Sequence, residues 1–154
     1  MHNDNHLEMS AEQEGVSAAR VVPDASAHRF AVLVANAKGG CGKTTLSTNL
    51  ASYYASRGQP VTLLDMDPQQ SSTLWLRQRQ QQGYQHISGQ TLPIDARFNA
   101  GKLQAVLRDS EQSLVIDSPA GLNGAPLDAV LRISQVVLVP VLPSPIDIRA
   151  ATRF

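Results

Sequence analysis

Apolar residues in this chain arrive in short unbroken runs, separated by longer stretches in which they recur every three or four positions. Residues 30–36 read FAVLVAN, 61–65 VTLLD, 114–117 LVID and 135–143 QVVLVPVLP. Such runs, β-branched and without alternation, are what strands buried on both faces need. Between them, residues 44–57 carry Leu46, Leu50, Tyr53 and Tyr54 at helical spacing, with Gly58 placed to close the helix. Residues 71–82 form a second predicted helix, with Leu74, Trp75 and Leu76 near its start. Residues 84–88 read as a short strand, 99–108 and 125–133 as helices, and a further helix begins near Ile146. Strands alternating with helices predict an α/β fold, a mostly parallel sheet flanked by helices.

Residues 1–28 have no sustained period and are expected to form a disordered acidic tail, leaving 29–154 as the folded domain. Residues 1–29 hold five acids and two bases, which leaves eight acids and eleven bases elsewhere. That surplus is too small to mark a nucleic-acid-binding surface by itself. Cys41 is the single cysteine, so no intramolecular disulfide forms, consistent with a cytoplasmic protein. No stretch nears the roughly 20 apolar residues that span a bilayer, and residues 1–15 lack the pattern of a signal peptide. The four histidines, His2, His6, His28 and His86, form no metal-ligand arrangement beyond the tail pair His2 and His6.

The chemistry concentrates at three strand ends. After the first strand comes AKGGCGKTT, residues 37–45, which opens a predicted helix. Gly39, Gly40 and Gly42 let backbone N–H groups wrap closely around an anion. Lys43 is placed to reach β- and γ-phosphates, and the Thr44 hydroxyl to ligate Mg²⁺. DMDPQ (65–69) follows the second strand and DSPAG (117–121) the fourth. Carboxylates just beyond apolar strands lie where open α/β sheets bind ligands. Asp117 is the candidate for the metal shell; Asp65 and Asp67, two residues apart, can point differently, one towards the metal shell and one towards an attacking water. A lone aspartate before proline is commonly only a turn or helix cap; three motifs at one sheet edge weigh against that reading.

These residues carry a resemblance. KGGCGKTT resembles the deviant Walker A motif, K-G-G-x-x-K-[ST], of the ParA/MinD ATPases, in which alanine at position 37 is allowed. LLDMDPQQSSTLWL is similar to the family's D-x-D-P-Q switch, VIDSPAG to its Walker B strand and turn, and VVLVPVLPSPIDIRA to the segment after the next strand. The DPQ and PSPID segments favour the ParA partitioning branch. The resemblance implies a P-loop NTPase-like fold binding ATP/ADP and Mg²⁺ through residues 38–45, Cys41 at the loop's variable position included. It implies that Lys38 acts across a nucleotide-sandwiched dimer and Lys43 within its own subunit. Thr44, Asp65 and Asp117 belong to the metal site, Thr45 supports the α-phosphate, and Asp67 positions the hydrolytic water. The implied protein is an ATP-dependent dimer switch in DNA partitioning or cargo positioning, with a ParB-like partner. It is a homodimer on ATP binding or a heterodimer with a full-length ParA, nucleoid-associated if DNA is bound, and not membrane-bound. The chain ends where the family continues. It is therefore expected to lack C-terminal strands and helices, with the usual adenine-reading and DNA-gripping surfaces, and to expose a sheet edge. The alternative is a truncated binding or regulatory module that hydrolyses little.

Overall fold

A computed structural model of the chain describes residues 29–84 and 86–152. The expectation of a tail over 1–28 lies outside the described residues. Ten elements follow in order: β1 (Ala31–Val34), α1 (Lys43–Ser56), β2 (Val61–Asp65), α2 (Ser71–Gln81), β3 (Ile87–Thr91), α3 (Ala100–Asp109), β4 (Ser113–Asp117), α4 (Gly124–Leu131), β5 (Val136–Leu138) and α5 (Pro145–Ala151). The strands form one sheet in the order β3-β2-β4-β1-β5. Every pairing in it is parallel.

The apolar runs explain this layering. β1, β2 and β4 are the inner strands, and almost all of their residues are buried. Leu33, Leu64, Leu114 and Ile116 face one side, under Leu103 of α3 and Val130 of α4. Leu63, Val61 and Val115 face the other, under Ala51 of α1 and Leu76 of α2. Both faces of the sheet are thus covered, as parallel strands require.

Three sequence expectations need correction. The fully buried side of α1 is Lys43, Ser47, Thr48 and Ala51; of the predicted Leu46–Leu50–Tyr53–Tyr54 stripe, Leu50 and Tyr54 pack partly buried against the core, Leu46 is half-buried, and Tyr53 is exposed. Small residues allow the helix to lie close to the sheet, and Tyr53 turns outward beneath the Arg57 guanidinium, 5.3 Å from its ring centre. The third strand is Ile87–Thr91, three residues later than predicted, because its register is set by pairing with β2 (Val61 with Ile87 through Asp65 with Thr91). The 135–143 run forms only a three-residue strand, and it is not buried: Val136 and Val137 are 45% and 40% exposed. Among the described residues β5 pairs with β1 alone. Pro140 has no N–H with which to extend the ladder. Gly58 does end α1 as expected, at φ 71°, with its N–H donating to the Ala55 carbonyl.

Leu33 is fully buried at the centre of one core. Leu33→Ala is expected to lower unfolding free energy by about 2–5 kcal/mol in urea titration. Val137→Ala, on the exposed edge, is expected to change it by no more than about 1 kcal/mol.

Candidate functional site

Parallel pairing brings all strand carboxyl ends to one edge. The register aligns Val34 with Asp117, Asp117 with Asp65, and Asp65 with Thr91. The two aspartates thus stand side by side on the face covered by α1 and α2, immediately beside the β1–α1 loop.

That loop wraps by left-handed turns at Gly40 (φ 72°) and Gly42 (φ 91°), which an L side chain would strain. Asn36, buried, pins its base: its Oδ1 accepts from the Lys38 N–H at 3.1 Å, and its Nδ2 donates to the Pro140 carbonyl at 2.7 Å. The start of α1 has no side-chain cap and no acid in its first turn. Its first N–H groups therefore point to a place suited to an anion. The Lys43 ammonium lies there, with the residue only 7% exposed. It donates to the Lys38 carbonyl at 3.0 Å and lies 4.0 Å from Cys41 Sγ. No carboxylate among the described residues pairs with it. A buried cation held only by neutral acceptors is costly until an anion joins it. A hollow of about 390 Å³ opens beside it, lined by the loop glycines, Lys43, Thr44, Thr45, Asp67 and Gln69.

Asp117 is buried beneath this hollow. Its Oδ1 accepts from Ser47 Oγ at 3.2 Å, and its Oδ2 has no hydrogen-bond partner. Burial pushes its carboxyl above the usual aspartate range; the nearby Thr44, Ser72 and Ser47 hydroxyls act against that rise, and the Asp65 carboxylate adds to it. Thr44 and Ser72 act at close range without either closing a hydrogen bond on Oδ2. Asp65 is differently occupied. Its Oδ1 accepts the Asp67 N–H at 3.1 Å, and its Oδ2 accepts both the N–H and the hydroxyl of Thr73, each at 2.8 Å. Gln70, in the αL conformation, gives α2 no side-chain cap, so Asp65 takes that role from the neighbouring strand. Asp67 is partly exposed on the hollow's wall, its Oδ1 accepting the Gln69 N–H at 2.9 Å.

The structure therefore brings Gly39, Gly40, Gly42, Lys43, Thr44, Thr45, Asp67 and Asp117 to one place. Asp65 adjoins them with both oxygens already bonded to protein donors, and Cys41 is buried in the loop, its thiol donating to the Lys38 carbonyl at 3.3 Å. Lys38 does not line the hollow. Among the described residues no three His, Cys, Asp or Glu side chains gather to cage a metal. The Thr44 hydroxyl and the open Asp117 oxygen instead suit a hard cation that takes its other ligands from phosphate and water. Sequence reasoning missed Asn36, Ser47, Ser72 and Thr73. Ser47 was open to detection, lying one helical turn after Lys43 on the same face.

Fold and site together define a P-loop nucleotide-binding α/β domain. Residues 32–142 match the CobQ/CobB/MinD/ParA nucleotide binding domain, and the chain belongs to that family. The ParA/MinD resemblance in the motifs is thereby met. The chain is 34% identical over 131 residues to the maintenance of carboxysome distribution protein A of Halothiobacillus neapolitanus, covering 84% of this chain and 58% of that protein. It is 36% identical over 135 residues to the chromosome-partitioning ATPase Soj of Thermus thermophilus, covering 71% and 53%. The chain thus spans a little over half the length of these relatives. In fold it is similar to a putative plasmid partition protein of Borrelia burgdorferi bound to AMPPNP, with TM-score 0.64, 17% identity, and 82% of this chain and 68% of that one covered. It is also similar to the MinC:MinD cell division protein complex of Aquifex aeolicus, with TM-score 0.61, 22% identity, and 80% and 61% covered.

The Asp117 shift has a testable sign. Its folded-state carboxyl titrates above its unfolded value, so its contribution is most favourable in acid and is lost as pH rises through the folded-state value. Asp117→Asn in the nucleotide-free protein is expected to match the wild type in acid, below the ordinary aspartate range, and to melt at a higher temperature than the wild type at neutral pH. Thermal unfolding from acid to neutral pH measures it.

Proposed function

We propose that the chain is the nucleotide-binding part of a ParA-type ATPase, an ATP-driven dimer switch that partitions DNA or positions cargo. The observation that carries this reading is Lys43: a buried ammonium without a carboxylate partner, at an uncapped helix start, beside a hollow large enough for a triphosphate tail. Its charge is stabilised when phosphate oxygens arrive. The N–H groups of residues 39–45 orient the β- and γ-phosphates, and Thr45 supports the α-phosphate.

Thr44 and Asp117 would hold Mg²⁺, with Asp65 behind them anchoring the switch segment and holding the start of α2. When bound, Mg²⁺ supplies charge neutralisation between the phosphate oxygens. Asp67 stands on the hollow's wall and orients water towards the γ-phosphate. Lys38, outside the hollow of its own subunit, acts on the phosphate of a neighbouring copy, as an arginine finger does. The proposed partners are a ParB-like protein, a second copy or a full-length relative, and nonspecific DNA, at the nucleoid. No helix among the described residues is long and apolar enough to cross a membrane.

A second reading is a binding or regulatory module that holds nucleotide and hydrolyses little. The exposed apolar strip Val136, Val137, Val139, Val141 and Leu142 favours it, because such strips are commonly covered by protein. Turnover at background, with stable association to a full-length relative, would decide for this reading.

Lys43→Ala is expected to weaken ATP binding on the order of 100-fold in calorimetric titration, since it removes one partner of a desolvated charge pair. Unchanged affinity refutes the phosphate site. Asp67→Ala is expected to bind ATP within about threefold of the wild type while phosphate release falls at least about 100-fold.

A further inference from the structure

Among the described residues, two of the three buried side-chain polar atoms without a hydrogen-bond partner are Asp117 Oδ2 and Ser72 Oγ. The third, Arg79 Nε, belongs to a guanidinium stacked against Trp75 and Tyr84. Ser72 is fully buried at the start of α2, and its hydroxyl acts on the Asp117 carboxylate. Asp117 is therefore served by a hydroxyl of each helix on this face: Ser47 of α1 is bonded to Oδ1, and Ser72 of α2, itself unbonded, favours the charged carboxylate, whose Oδ2 is open. A buried hydroxyl left unbonded is destabilising where an alanine would not be, so the hydroxyl needs a state in which it is used.

The surrounding bonds identify that state. The switch segment leaves β2 at Met66, whose N–H donates to the Asp117 carbonyl at 2.9 Å. It is held again at Thr73, in the first turn of α2, by Asp65. Residues 67–72, with Asp67 among them, span these two anchors, and Ser72 stands at the second. We propose that Ser72 is a positioning residue. Its hydroxyl donates to Asp117 Oδ2 when cation and nucleotide are bound, and so locks the first turn of α2, and with it Asp67, onto the phosphate site. A carboxylate oxygen accepts more than one bond, so Oδ2 can accept this hydrogen bond and keep a lone pair for the cation's shell. The proposal rests on the Mg²⁺–nucleotide reading of the pocket.

The test is Ser72→Ala in the whole chain, titrated with ATPγS in Mg²⁺ and again in EDTA, with amide exchange followed over residues 66–74 and thermal unfolding without ligand. The variant is expected to lose about tenfold in affinity with Mg²⁺, the loss of one bond to a charged acceptor. It is expected to lose nothing in EDTA, to lose ligand-induced protection over 67–73, and to melt at or above the wild-type temperature. Equal affinity in Mg²⁺, an equal loss in EDTA, or a clearly lowered melting temperature overturns the role of Ser72 alone. No ATPγS binding by the wild-type chain overturns the pocket reading and this proposal with it.

Discussion

Parallel pairing of β1 with β4 is the constraint on which this molecule depends. It sets Val34 level with Asp117, so the chain leaving β1 as a glycine loop emerges directly beside a buried carboxylate. Pairing of β4 with β2 then sets Asp65 beside Asp117 and starts the switch segment from the same edge. A slip of one residue would turn both aspartates to the α3–α4 face, away from the loop, because successive strand residues point to opposite faces. The apolar runs prevent that slip, since both faces must be filled with side chains of matching size.

The edge so formed holds two opposite charges that do not neutralise each other. Lys43 rests on neutral acceptors, and Asp117 keeps one oxygen open. Each is unfavourable in a desolvated place, and each is favourable toward one half of a metal–phosphate pair. Binding energy is stored in this way: the groups are held in position by Asn36, Ser47 and the first turn of α1 before any ligand arrives, so little ordering remains to be done on binding. Asp65 shows the opposite economy. Its oxygens are bonded to Asp67, Thr73 and the start of α2, which makes it the anchor on which the switch segment turns.

The other end of the sheet order has a different character. β5 exposes valines on a three-residue strand, and the apolar residues continue to Leu142. Polar chemistry and apolar surface thus occupy separate regions, one at the strand carboxyl ends and one at the β5 side. The candidate site and this exposed apolar edge share one small sheet without competing for residues.

The alternation of apolar runs with helical spacing was enough, by itself, to read an α/β sheet, since strand and helix periods are local properties of the chain. The phosphate loop was legible for the same reason: Gly40, Gly42, Lys43 and Thr44 act within one turn of backbone, and their spacing carries the geometry. What the sequence could not contain was which polar residue faces which. Asp65 and Asp117 look alike as aspartates ending apolar strands, yet Asp65 has both oxygens bonded, one of them to Thr73 in the first turn of α2, and Asp117 keeps Oδ2 open. The start of β3, the small-residue face of α1 and the exposure of β5 were likewise decided by pairing partners far along the chain. Local pattern determined the elements and the loop; long-range register, which no short stretch encodes, decided the division of labour among the carboxylates.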